Sequence, residues 1–340
     1  MSLPPSEIPQ GAIRFNTDSQ KLEFYAQGEW WVMSTDTPNL ASAGDSTPGA
    51  RGLFGGGATN ISSDDVDTID YINIASTGNA IDFGNLTDAR DFVHAASSAT
   101  RGVFFGGTDP GVVGAGEIDY VTISSTGNAV DWGINQTTAQ RNAGAIGNQT
   151  RGIYGGTDGS NVIEYITFAT TGTRNDFGDL IVSCQGNSAT NSPVRGVFMG
   201  AYSGVGTNII QFITIATTGN SQDFGDLIQA RAQSSAGTVS NGVRGLVGGG
   251  ITPTYLNSIE YINIATTGNA MNFGDLSNTV RIPGSTSSAT RGVFAGGDSP
   301  TYINTIEYII ISTEGDAVDF GDLTQARHGS AGVSNAHGGL

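Results

Sequence analysis

The chain has 340 residues, a formal net charge of −17 and 51 glycines. One lysine, Lys21, stands against thirteen arginines and 31 acidic residues, which leaves no electrostatic footprint for a nucleic-acid backbone. A chain that is 37% hydrophobic and 13% charged does not fit a disordered composition, the single Cys184 excludes an internal disulfide framework, and no apolar run reaches the ~18 residues of a membrane span.

The first elements in chain order are three short strand-like runs, Gly11–Phe15, Lys21–Tyr25 and Glu29–Met33. From about residue 38 to 324 the chain repeats itself six times. An Arg-Gly pair opens each repeat core at Arg51, Arg101, Arg151, Arg195, Arg244 and Arg291, followed by apolar residues and, in most repeats, a double glycine. A variable polar loop leads to an alternating run such as IDYINIAS or IEYITFAT, whose β-branched and aromatic residues read as a strand. A Thr-Gly or Glu-Gly turn leads to a short block such as DFGDL, and an Ala/Ser/Gly-rich stretch such as VHAASSAT precedes the next Arg-Gly pair.

Four short strands in each unit of nearly fifty residues predict an all-β fold, a β-propeller with four-stranded blades. The small-residue stretch is the innermost strand a, the Arg-Gly segment strand b, the IEYI segment strand c and the DFGDL segment the outer strand d. The tail at 327–336 reads as one more strand a. Paired with the three N-terminal runs as strands b, c and d, it predicts a seventh, hybrid blade closed by the two termini, which removes an open sheet edge. The alternative is six blades with the N-terminus as a separate hairpin element. The expected domains are an N-terminal module at 1–37 and the repeats at 38–340.

The order of small-residue strand, apolar Gly-Gly segment, spaced aromatic and outer aromatic, as in RDFVHAASSATRGVFFGG, resembles the kelch repeat over residues 38–340. The fourth repeat departs from the double glycine with Gly200-Ala201, and the outer tryptophan of that family occurs once, as Trp132. The segment GAIRFNTDSQKLEFYAQGEWWVM, residues 11–33, resembles a short module of tailed-bacteriophage virion proteins. That resemblance implies a virion structural protein, in a tail, fibre, neck or capsid-decoration position, with other virion proteins as partners and virion localisation.

The six repeat arginines are expected to be structural, each bridging to the outer-strand aspartate of its blade: Asp82, Asp131, Asp176, Asp223 or Asp319, with Asn272 standing in the blade of Arg244. The alternative is a cationic ring for an anionic ligand. The repeated Asp-Phe-Gly carries a core phenylalanine and lacks every companion of the kinase motif. Gly111–Gly116 reads as a loop, since no strand-to-helix context surrounds it. Histidines 94, 328 and 337 are not spaced as metal ligands, and Cys184 has no local histidine, so no metal, cofactor or enzymatic activity is expected. The acidic run Asp64, Asp65 and Asp67 lacks a calcium-loop pattern. Loops between strands b and c vary, and Tyr202, Tyr255 and Tyr302 within them are candidate ligand contacts for a host-surface glycan. A free glycan-binding, lectin-like propeller is the alternative function.

Overall fold

Period-two alternation builds every regular element: the computed structural model has twenty-nine β-strands and no α-helix among its described residues. These are residues 9, 11–16, 21–32, 51–59, 64–108, 117–133, 141–157, 159–231 and 237–340. The loop Gly111–Gly116 and the expected domain boundary at 37/38 lie outside them. Contacts divide the chain into two units, Met1–Thr47 and Pro48–Leu340.

The first unit is a three-stranded antiparallel sheet, Ile13–Asn16, Lys21–Ala26 and Glu29–Val32 in that order. Arg14 lies opposite Glu23, its guanidinium 2.8 Å from the Glu23 carboxylate and over the Trp30 ring at 4.1 Å.

The second unit contains six four-stranded antiparallel sheets in a propeller-like arrangement. The second sheet runs His94–Ser97, Arg101–Phe105, Ile118–Thr122 and Val130–Asp131; the third Gly144–Gly147, Arg151–Gly155, Ser160–Thr167 and Asn175–Cys184. The fourth runs Ser188–Asn191, Arg195–Tyr202, Gly206–Thr214 and Gln222–Arg231; the fifth Thr238–Ser240, Arg244–Gly248, Ser258–Asn263 and Met271–Asp275. The sixth is Gly284–Ser287, Arg291–Ala295, Thr305–Ile310 and Val318–Asp322. Each follows the a-to-d order expected from the repeat.

The first sheet is where expectation and structure part. Its strands b, c and d are Arg51–Gly55, Thr68–Asn73 and Ile81–Asn85, and its innermost strand is Ala331–Ser334 from the other end of the chain. The C-terminal strand therefore does not join the three N-terminal strands, and the expected hybrid seventh blade is corrected to a hybrid first sheet. The register explains the choice. Val333 pairs with Leu53 inside one apolar cluster, and the Asn335 side chain accepts a hydrogen bond from the Arg51 amide. The same turn closes the second to sixth sheets, where Ser98, Asn148, Ser192, Asn241 and Ser288 accept from the arginine amide three residues on.

Six apolar clusters are interleaved between sheets, each combining residues from neighbouring sheets; Phe54 of the first sheet, for example, packs with Val293 and Phe320 of the sixth. Removing residues 331–340 is expected to abolish cooperative melting, because the first sheet loses its inner strand and the pocket beside Leu53 and Phe54 opens. Removing residues 1–47 should leave the melting of the six sheets unchanged. Circular dichroism on both truncations checks this.

Candidate functional site

In all six sheets the repeat arginine, the strand c aromatic and the strand d aromatic stack in sequence. The guanidinium carbon lies 4.3–4.9 Å from the ring centre of Tyr71, Tyr120, Tyr165, Phe212, Tyr261 or Tyr308. That ring meets Phe83, Trp132, Phe177, Phe224, Phe273 or Phe320 edge-on at 5.6–6.0 Å. Each guanidinium then donates to a main-chain carbonyl of the next sheet. Arg51 bonds Ile123, Arg101 Phe168, Arg151 Ile215, Arg195 Ile264, Arg244 Ile311, and Arg291 returns to Ile74 of the first sheet, at 2.7–3.3 Å.

This corrects the expected bridges. Asp82, Asp131, Asp176, Asp223 and Asp319 are exposed on the outer strands, while the guanidinium is taken up by a ring face and a carbonyl. Arg244 reverses the expected exception: it lies 3.7 Å from the Glu314 carboxylate. Arg101→Met should destabilise the fold by ~1–2 kcal/mol, the sum of one cation–π contact and one charged hydrogen bond at a partly buried site. Chemical unfolding checks it; an unchanged midpoint would favour arginines free to bind an anion.

Ion pairs that the sequence reading missed lie deeper. Arg90 reaches Asp119 at 2.9 Å, Arg231 reaches Glu260 at 2.7 Å and Arg327 reaches Asp70 at 3.0 Å, with all six side chains at most 2% exposed. Each arginine ends or follows strand d of one sheet and pairs into strand c of the next. Where the third repeat has Cys184 in place of this arginine, the facing acid is replaced by the neutral Gln211, whose side-chain oxygen accepts from the Ile181 amide and the Ser221 hydroxyl. The fifth repeat has Val280, and the facing Glu307 is left buried with the Ser277 amide as donor; burial raises its carboxyl above the usual range. The paired appearance of TDAR, IQAR or TQAR with IDY or IEY was the available signal.

A second inter-sheet seam explains DFG and TGN together. Gly84 has φ +147°, and a Cβ there would lie 2.5 Å from the Gly127 carbonyl. The Gly127 amide donates to Phe83, and Asn128 accepts from the Asn85 amide. Gly321 repeats this arrangement against Gly78 of the first sheet, with Asn79 accepting from Asp322.

Among the described residues, the b–c loops of the fifth and sixth sheets depart from this regularity. Tyr255 donates to the Asp298 carboxylate at 3.1 Å, Arg281 bonds the same oxygen at 2.8 Å, and the Arg281 guanidinium lies 5.6 Å from the Tyr255 ring. Tyr302 stacks on His328 at 4.3 Å, and Phe92 meets the far ring edge-on at 5.5 Å. Burial lowers His328 to about 4, so it is neutral near neutral pH. Asp91 is raised to about 7, first by burial and then by Asp65. Phe92 and Ile282 have φ of +51° and +54°, backbone strain that the surrounding seam holds in place. The structure thus brings Tyr255 and Tyr302 together. Tyr202 stands apart, its backbone paired with Gln185.

A cavity of about 120 Å³ is lined by the inner strands of all six sheets and by His337. Its walls are mostly Ser, Ala, Gly, Thr and Asn, with His94 and a few apolar side chains such as Ile146 and Val333, and no carboxylate or arginine. Among the described residues no group of His, Cys, Asp and Glu is placed to hold a metal ion. Cys184 is buried and pushed up to about 11, which withholds the thiolate a nucleophile needs. No protein-family model matches the chain, and no curated protein is significantly similar to it.

Proposed function

We propose that the six sheets form a closed six-bladed propeller that serves as a non-enzymatic virion structural component of a tailed phage and contacts a host-surface glycan through its b–c loop face. The observation that carries the closed ring is the return of each seam to its start, with Arg291 bonding Ile74, Asp322 bonding Asn79, and Ser97 bonding Ser334. A ring stitched this way is rigid without a ligand or partner, as a particle component requires. The likeness of residues 11–33 to a phage virion module supports the particle setting. The cluster of Tyr255, Tyr302, Arg281 and Asp298 supports the contact, because half-buried aromatics beside a charged pair offer both a stacking face and hydrogen bonds to a sugar.

A free, lectin-like propeller is the second reading, favoured by the same cluster. Immunogold electron microscopy on particles from the source culture separates the two. Label at a fixed place on the particle supports the virion reading, and absence of label with binding on a glycan array supports the lectin.

A further inference from the structure

The last residues of the six inner strands line the cavity: Ser97, Gly147, Asn191, Ser240, Ser287 and Ser334. Four of their side chains donate to the equivalent carbonyl of the preceding sheet, while the Ser287 hydroxyl accepts from the Ser240 amide at 3.3 Å. Ser97 donates to Ser334 at 2.8 Å, Ser334 to Ser287 at 2.6 Å, Ser240 to Asn191 at 2.7 Å and Asn191 to Gly147 at 2.7 Å. Gly147 has no side chain, so the Ser97 carbonyl receives no such bond from the third sheet. His337 supplies it: its Nε2 lies 2.8 Å from the Ser97 oxygen. The Gly339 amide donates to Nδ1 at 3.1 Å, which fixes the neutral tautomer with its proton on Nε2. Gly338 and Gly339 are buried against Gly242, Ser240, Gly147 and Asn191, so the segment crosses the third, fourth and fifth sheets.

We propose that residues 336–340 are a proton-sensitive plug of that cavity, in which neutral His337 replaces the side chain that Gly147 lacks. A second proton would sit on Nδ1, facing the Gly339 amide donor, and would place a charge in a lining without carboxylates. His94 is the other titratable group in that lining; Ser97, Gly339 and Ser334 contribute neutral groups alone. Burial holds His337 at about 4 against an ordinary 6.5. The docked state therefore keeps its full advantage above 6.5 and loses it as pH falls to 4, by on the order of a hundredfold in the docking equilibrium.

Nitrogen-15 spectra of the full chain test this with hydrogen exchange. The expected result is a His337 Nδ1 without a proton at neutral pH and titration near 4. Deleting residues 337–340, or acidifying the intact protein to pH 4, should speed exchange at Ser97 and Asn191 roughly tenfold after correction for intrinsic rates. Amides of strand c, such as Tyr71, should not change. His337→Gln keeps a donor and an acceptor without titrating, so it should hold those amides protected at pH 4. Titration of His337 near its ordinary value, or exchange unaltered by the deletion, would overturn the proposal.

Discussion

Replacing Arg327 by Met is expected to lower the unfolding free energy by ~3–5 kcal/mol, the usual consequence of leaving one member of a buried pair without the other. Arg327 is fully buried and donates to three acceptors: the Thr68 carbonyl at 2.9 Å, the Phe54 carbonyl at 3.1 Å and Asp70 at 3.0 Å. Two belong to the backbone of the first sheet, so the substitution strikes the junction between the sixth and first sheets. Asp70 would keep the Thr324 amide and hydroxyl, at 3.2 and 2.7 Å, but would lose its counter-charge. Changing Asp70 to Asn in the same chain should recover part of the loss, since a neutral amide needs no counter-charge. Urea unfolding of the single and the double variant reads both terms. A loss no larger than that of Arg101→Met would mean that this pair is solvated.

The second large effect is a pH dependence. The Asp91 carboxyl is 8% exposed and raised to about 7, so the folded protein holds a proton there that the unfolded chain releases near 3.8. A raised acid gives stability that is full below the unfolded value and lost as pH rises through the folded one. Between pH 5 and pH 8 the loss from this group is ~2–3 kcal/mol. Asp91→Asn mimics the protonated acid and keeps the backbone pairing with Thr108. It should therefore be more stable than the parent at pH 8 by ~4 kcal/mol, the loss accumulated from pH 4 upward, and nearly equal to it at pH 4. Parallel pH profiles for the two proteins would contradict the buried placement of Asp91 beside Asp65.

Much of the architecture was legible because each repeat states it in the same words. The strands, their a-to-d order and the core role of the DFG phenylalanine all follow from alternation and spacing. The closing sheet was misread because the Ser/Ala-rich residues before Arg51 look like a strand a, and the N-terminal runs look like the strands the tail should seek. The contrary signal was present: Ser334-Asn335 followed by Gly49-Ala50-Arg51-Gly52 would spell the turn Ser240-Asn241-Gly242-Val243-Arg244-Gly245 with one change. The arginine bridges were misassigned for a different reason. Pairing by charge chose Asp82 and its equivalents, but strand c places a ring face between guanidinium and outer strand, and carbonyls of the next sheet complete the donors. The true ion pairs join different repeats, a relation that reading each repeat by itself does not expose. At the candidate site, Tyr255 and Tyr302 were visible as loop aromatics; His328 and Asp91 were not, because only the packing of sheets distant in sequence brings 91, 302 and 328 together.

A circular permutant tests ring closure most directly. Asn335 would be joined to Gly49, residues 1–48 and 336–340 removed, and new ends opened between Gly242 and Val243 in the equivalent turn of the fifth sheet. Its thermal unfolding is the measurement. A cooperative transition within a few degrees of the parent is the expected result, since every sheet keeps four strands and the Asn335–Arg51 turn becomes continuous. An unfolded or aggregated permutant, set beside a folded parent, would contradict a ring closed by Ala331–Ser334 on Arg51–Gly55.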